Sequence, residues 1–321
     1  MRKVISILSI TVLIAAMSAV PAVGNSIGCG DTITSDLTLM ADLGPCPDDG
    51  LKVGASGITI NLNGYTISGD SVGLGGGVRI EGNFSNVVVR NGAITGFNEG
   101  VVLAGGANAN HIWGLTLDSN NRGVDLAGGN FNNLIEKNVV TNHGGDGIRV
   151  DASSGNIVQK NTVVDNVFGI SVSNGANNNL VSKNTVTDNR FGISVFTDAD
   201  GNTVEKNVIS GVSVDGGIQV ERGSDNTRIS KNNSSDNFTN GILVEPADGA
   251  APVGTVLELN ITNNNAGDGI NVQSASATLT KNTANNNNDY GIEALPGVTD
   301  GGGNMAAGNG NPAQCLNVAC S

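Results

Sequence analysis

Two sets of residues in this sequence have the types and spacing to do chemistry. The first lies between residues 122 and 151, where Arg122, Asp125, His143, Asp146, Arg149 and Asp151 gather in a chain that is only 14% charged. A carboxylate can take the proton beside an acid group while a neighbouring guanidinium steadies the anion that forms. Opposite charges on adjacent strands can equally do no more than pair with each other. The second set is lysine. Lys137, Lys160, Lys183, Lys206, Lys231 and Lys281 are six of the chain's eight lysines, and each precedes an asparagine. A column running from Lys137 to Lys231 would offer regular positive charge to a polyanion, although exposed lysines also block edge pairing and aid solubility. His143, in the glycine-rich turn TNHGGDG, reads as a solvated turn residue. The stretch TDADGN, Thr197 to Asn202, has the opening of a calcium loop without its later glutamate, because Ile209 stands there instead.

Whether these residues meet depends on the elements that carry them. A glycine followed by a β-branched residue recurs at Gly77, Gly100, Gly123, Gly147, Gly169, Gly192, Gly217, Gly241, Gly269 and Gly291, in steps of 22 to 28 residues. Such a period marks a repeat architecture. Apolar residues stand one and three places after each glycine, as in Ile148 and Val150 or Ile170 and Val172, which is the alternation of a strand with one buried face. A second short strand follows, as in Asn156-Ile157-Val158, and a third, as in Thr162-Val163-Val164. Strands repeating at a fixed interval pair with their own copies in the next line, about 4.8 Å away. The predicted fold is therefore all-β: one three-faced parallel β-helix of about 10–11 rungs, counted from the glycine-headed lines. In that register Asp125 lies below Arg149 and Arg122 below Asp146. The recurring asparagines Asn138, Asn161, Asn184, Asn207, Asn232 and Asn282 read as a self-satisfying column at one corner, and the heading glycines as tight turns.

Composition agrees with a narrow interior. Aromatic residues make up 3% of the chain and glycine contributes 47 residues. The formal charge is −13, or −15 without Arg2 and Lys3, which leaves no electrostatic footprint for nucleic acid or anionic lipid. Met1-Arg2-Lys3, the apolar run Val4 to Met17 and the small residues before Gly24 have the form of a cleaved secretory signal over residues 1–24. No later segment is apolar over the roughly 20 residues that a membrane span needs. The protein is thus expected outside the cytoplasm, extracellular or periplasmic. Cys29 with Cys46 and Cys315 with Cys320 read as disulfide staples near the two ends. The expected organisation is a cap over residues 25–56, the β-helix over 57–298 and a C-terminal tail over 299–321.

The pattern GI.V…N.V.KN.V..N, together with the lead-in CGDTITSDLTLMADLGPC and GITINLNGYTISG, resembles the repeat of exported right-handed β-helix proteins in the pectin lyase-like superfamily, NosD-type repeats included. That resemblance implies the right-handed coil and a polysaccharide partner in a groove beside the first sheet. In lyases of the superfamily, arginine and acidic calcium ligands carry the chemistry. The resemblance therefore puts forward Asp125, Asp146, Arg149 and Asp151 as catalytic and Asp125, Asp146 and Asp151 as calcium ligands. The sharper signatures are missing: no adjacent aspartate pair with a Gly-His-Gly turn, and Tyr290-Gly291-Ile292-Glu293-Ala294-Leu295 shares only the frame of the epimerase motif. Two histidines and four methionines provide no copper-handling cluster. Two readings follow. One is a protein that binds polysaccharide and processes it in a lyase- or epimerase-like way. The other is a non-catalytic structural or adhesive protein. The insertion Glu245 to Thr255, in the longest repeat, is expected to shape a binding edge.

Overall fold

A computed structural model describes residues 27–321, so the signal read at residues 1–24 lies outside the described residues. Strands pair with their own copies one turn on. Ile148, Ile170, Ile193 and Ile218 follow one another in register through four successive strands, and every pairing is parallel. The first strands of the turns form one sheet of thirteen, from Asp31–Ile33 to Cys315–Leu316. The second strands stack as Leu134–Glu136, Ile157–Gln159, Leu180–Ser182 and Thr203–Glu205. The third stack as Val139–Thr141, Thr162–Val164, Thr185–Thr187 and Val208–Ser210. No helix occurs among the described residues.

Thirteen first-sheet strands make about twelve turns, and the coil runs further at both ends than the glycine-headed lines indicate. Asp31–Ile33 pairs with Leu51–Val53, and Leu51–Val53 with Gly76–Glu81. At the other end Ile292–Ala294 pairs with Cys315–Leu316. These end turns escape the repeat pattern because Leu51 follows Gly50 where a β-branched residue is expected, and Gln314 stands in the place of a heading glycine. Both disulfides form, Cys29–Cys46 and Cys315–Cys320.

The core is a set of aliphatic columns. Ile148, Val150, Val158 and Val163, one turn's inward set, have no exposed surface. Each such burial is worth about 1.5–3 kcal/mol against exposure. The heading glycines serve this packing and not a turn, which corrects the sequence reading. A Cβ on Gly147 would stand 2.7 Å from Val163 Cγ1 and 2.8 Å from the carbonyl oxygen of Gly169, and Gly147 has no positive φ. Glycine is required because the next turn leaves no room.

Three buried ladders tie the turns together. In one, Asn138 donates its backbone N–H and its amide to Asn161 Oδ1, both at 3.0 Å, and its amide also reaches the Ile112 carbonyl at 3.1 Å. The pattern continues through Asn184, Asn207, Asn232, Asn260, Asn282 and Asn304. A second ladder runs Asn110, Asn133, Asn156, Asn179, Asn202. The third runs Asn120, His143, Asn166, Asn189 and resumes at Asn237. His143 is therefore buried, 3% exposed, in an asparagine's place. A turn flanked by glycines looked solvated because the ladder slot is set by the neighbouring turns and not by local sequence.

Candidate functional site

The outer face of the first sheet carries the candidate residues. Its positions two places after the heading glycine form a polar floor: Asp125, Ser171 and Ser194 are 3%, 2% and 3% exposed. Parallel stacking at about 4.8 Å lets each floor residue be covered by its neighbours above and below. A further outward column stands immediately before the glycine: Glu99, Arg122, Asp146, Phe168, Phe191. Strict alternation assigns those positions to the interior. They turn outward because the glycine and the residue after it both face the core, as Gly147 and Ile148 do, which breaks the alternation at that point. Glu99, Phe168 and Phe191 were thereby missed as site residues, although their regular place before each glycine was a usable signal.

Asp125 and Arg149 are paired in register, and Arg122 and Asp146 meet through their side chains across the same two strands. Arg149 reaches Asp125 Oδ2 at 3.4 Å and Asp151 Oδ2 at 2.6 Å. Arg122 reaches Glu99 at 3.4 Å, Asp125 at 3.6 Å and Asp146 at 3.4 Å. Ser171 donates to Asp146 at 2.6 Å, and Ser173 to Asp151 at 3.1 Å. The structure thus brings Asp125, Asp146, Arg149 and Asp151 into one network and leaves neither guanidinium without a carboxylate. Burial pushes the Asp125 carboxyl above its ordinary range despite Arg149 and Arg122, with Asp146 and Asp151 adding to the rise. Glu99 is raised for the same first reason, and Asp125 contributes. Such a network can hold a proton on a carboxyl near the surface. Among the described residues, no group of three or more His, Cys, Asp and Glu is arranged to hold a metal ion.

Three cavities are strung along this face. One of about 530 Å³ includes Asp49, Lys52, Arg79 and Glu81. A second of about 200 Å³ includes Phe191, Phe196, Ser194, Asp215 and Glu221. A third of about 380 Å³ includes Pro246, Asn271, Glu293, Leu295 and Leu316. The insertion borders the second and third: Asp248 holds Arg222 at 3.0 Å, Glu245 accepts from Gln219 at 3.4 Å, and Pro246 lines the third cavity.

The lysine column occupies the bend between the second and third strands, away from this face. Lys137, Lys160, Lys183, Lys206 and Lys231 all take left-handed backbone, with φ from 55° to 58°. Their heads are exposed. Lys137 and Lys160 share Glu136 at 3.6 and 3.7 Å, and Lys206 holds Glu205 at 2.7 Å. At TDADGN, the Asp200 carboxylate accepts the Asp225 backbone N–H at 2.8 Å, which is turn chemistry.

Comparison with known proteins fits this architecture. The model of the family described as "Periplasmic copper-binding protein (NosD)" matches residues 32–215, and that described as "Right handed beta helix region" matches residues 179–309. Comparison with curated protein sequences yields no match. Among solved structures, a double mutant of the periplasmic alginate epimerase AlgG is similar at a TM-score of 0.68 and 14% identity, over 90% of this chain and 85% of that one. The A-module of the Azotobacter vinelandii mannuronan C-5 epimerase AlgE6 follows at 0.55 and 18%, over 87% and 91%. The Dettilon tailspike protein gp208 is similar at 0.57 and 16%, over 89% and 60%. These likenesses establish the right-handed parallel β-helix. A copper site, which the family description implies, finds no fitting donor set among the described residues. All four cysteines are in disulfides, Met40 and Met305 are exposed, His143 is locked in a ladder, and His111 faces Glu136 at 3.3 Å.

Proposed function

The chain belongs to the NosD family of β-helix proteins, and from that premise we propose that it is an exported protein that binds polysaccharide along the outer face of its first sheet. The observation that carries this reading is the succession of three cavities on one polar face, near Arg79, Phe191 and Asn271. An extended polymer can use such hollows one after another, since each turn adds the same rise of about 4.8 Å. Disulfides at both ends suit an oxidising compartment. Two structures of similar fold are named as epimerases of mannuronan and alginate, which supports the polysaccharide class.

Turnover, if the polymer is processed in a lyase- or epimerase-like way, would run through Asp125, Asp146, Arg149 and Asp151. Asp125, Asp146 and Asp151 are engaged by Arg149, Arg122 and Ser171 and form no ready calcium site among the described residues, so the assay includes calcium only as a variable. The lysine column would serve as a separate surface for acidic polymer. The test is to incubate the protein with neutral, acidic and amino polysaccharides, with and without calcium, measuring retention on immobilised polymer and release of unsaturated products. Retention of at least one polymer, lost on substituting first-sheet residues, is expected. Absence of retention and of product across the whole panel would refute the reading in favour of a purely structural role.

A further inference from the structure

The second cavity suggests what kind of sugar the face takes, an inference that rests on the polysaccharide reading above. Phe168 and Phe191 stack with centroids 4.5 Å apart and planes 11° from parallel, and Phe196 lies 6.3 Å from Phe168. The FGISV repeat that produces this stack then stops. By the register of Phe191–Phe196 with Gly216–Val220, Gly216 stands where a third ring of the column would be. The break opens the cavity of about 200 Å³ beside Phe191 and Phe196, with Ser194 at its base.

The charged groups that line this cavity are two carboxylates and one guanidinium, Asp215, Glu221 and Arg222. Asp215 and Glu221 line it, and Gln219 bridges Glu221 at 3.1 Å to Glu245 at 3.4 Å. Arg222 is committed to Asp248 at 3.0 Å and Glu221 at 3.6 Å. Glu221 is 9% exposed. Burial raises its carboxyl above the ordinary range, and Glu245, Asp215 and Asp248 add to the rise against Arg222. Elsewhere on the face, each of Arg79, Arg122 and Arg149 is likewise held by two or more carboxylates. A uronic acid would bring another carboxylate to these guanidinium groups, which are already engaged; Arg190, exposed beside Phe191, holds no carboxylate among the described residues, and the uronate arm of the experiment below tests it. A cation resting on this aromatic stack already has an example inside the molecule, the Arg190 guanidinium 5.4 Å from the Phe191 centroid.

We infer that the cavity between Phe191 and Glu221 holds a pyranose ring bearing a protonated amine, so that the face takes an amino polysaccharide in preference to a polyuronate. The apolar face of the ring lies against Phe191 and Phe196, and the ammonium faces Glu221 and Asp215, the two carboxylates that line the cavity. Nothing is cleaved or transferred in this step; it is recognition by stacking and charge.

The experiment titrates the full chain with a glucosamine oligomer, its fully N-acetylated counterpart and a uronate oligomer of equal length. The glucosamine oligomer is expected to bind at least tenfold more tightly than either of the others, with affinity falling as salt rises. Phe191→Ala and the near-isosteric Glu221→Gln should each weaken it tenfold or more while the melting curve stays unchanged; Phe191→Leu keeps the packing and removes only the ring face. Equal or tighter binding of the N-acetylated or uronate oligomer would overturn the inference and leave the polysaccharide reading standing. So would glucosamine binding that is indifferent to Phe191→Leu and Glu221→Gln. Failure of all three oligomers to bind would overturn the inference, and the wider polymer panel would then decide the polysaccharide reading.

Discussion

His143→Asn tests the ladder logic most sharply, because it should make the protein more stable and less sensitive to acid. His143 Nδ1 faces the backbone of Asn120, with its N–H at 3.1 Å and its carbonyl oxygen at 3.0 Å. Whichever ring nitrogen carries the proton, Nε2 is buried and has no partner. An asparagine here would accept from the Asn120 amide and donate to a carbonyl two dozen residues back, as Asn189 accepts from the Asn166 amide and donates to the Val163 carbonyl, both at 3.0 Å. Two regained bonds at about 1 kcal/mol each, set against about 1 kcal/mol of lost ring packing, give a net gain of roughly 1 kcal/mol. For a chain of this size each kcal/mol moves the melting temperature by about 2–4 °C. The pH dependence follows from burial, which lowers the His143 pKa below its ordinary 6.5 while the Asn120 backbone and Asp118 oppose the shift. Above 6.5 both folded and unfolded chains carry the neutral ring and nothing is lost; as pH falls below 6.5 the unfolded chain takes up the proton first and stability declines. Denaturant unfolding of both proteins between about pH 8 and about pH 5 reads this directly. A variant less stable than the parent near pH 8, or one with the parent's full acid slope, would refute the reasoning.

Other consequences can be checked by the same unfolding measurements. Asn161→Ala removes four ladder bonds and strands the Asn138 N–H and Ile135 carbonyl, so a loss of about 3–5 kcal/mol is expected. Arg149→Ala leaves Asp125, a buried carboxylate, with only Arg122, and should cost about 3–5 kcal/mol. That loss must be separated from any effect on turnover by measuring the folded fraction. Asp125→Asn acts oppositely with pH. The raised Asp125 carboxyl contributes stability that is full below its ordinary 3.8 and lost as pH climbs through the raised value, so the variant should show a flatter profile above 3.8. Lys183→Gly relieves a left-handed lysine at φ 58° and should stabilise by about 1 kcal/mol, where glycine in an ordinary strand would destabilise.

How much of this was legible in the sequence varies by residue. Ile170, Val172, Ile193 and Val195 displayed the strand parity, and the spacing of Gly123 and Gly147 set the register that places Asp125 under Arg149. Corner asparagines such as Asn161 disclosed one ladder because lysine precedes each of them. The ladders through Asn156 and Asn166 have no such flanking mark. Glu99, Phe168 and Phe191 stayed hidden as surface residues because alternation continued past the glycine would have turned them inward.

Periodicity is a property of the chain, so the sequence by itself determined the parallel coil, its inward columns and which residues become neighbours one turn apart. Exposure, protonation and cavities are properties of what surrounds a residue in space. Only the tertiary structure decided that His143 is buried in a ladder, that every arginine of the charged network is already paired, and that the missing ring at Gly216 opens a hollow beside Phe191. A side chain's burial is set by the turns above and below it, and the spacing within its own turn carries no record of them.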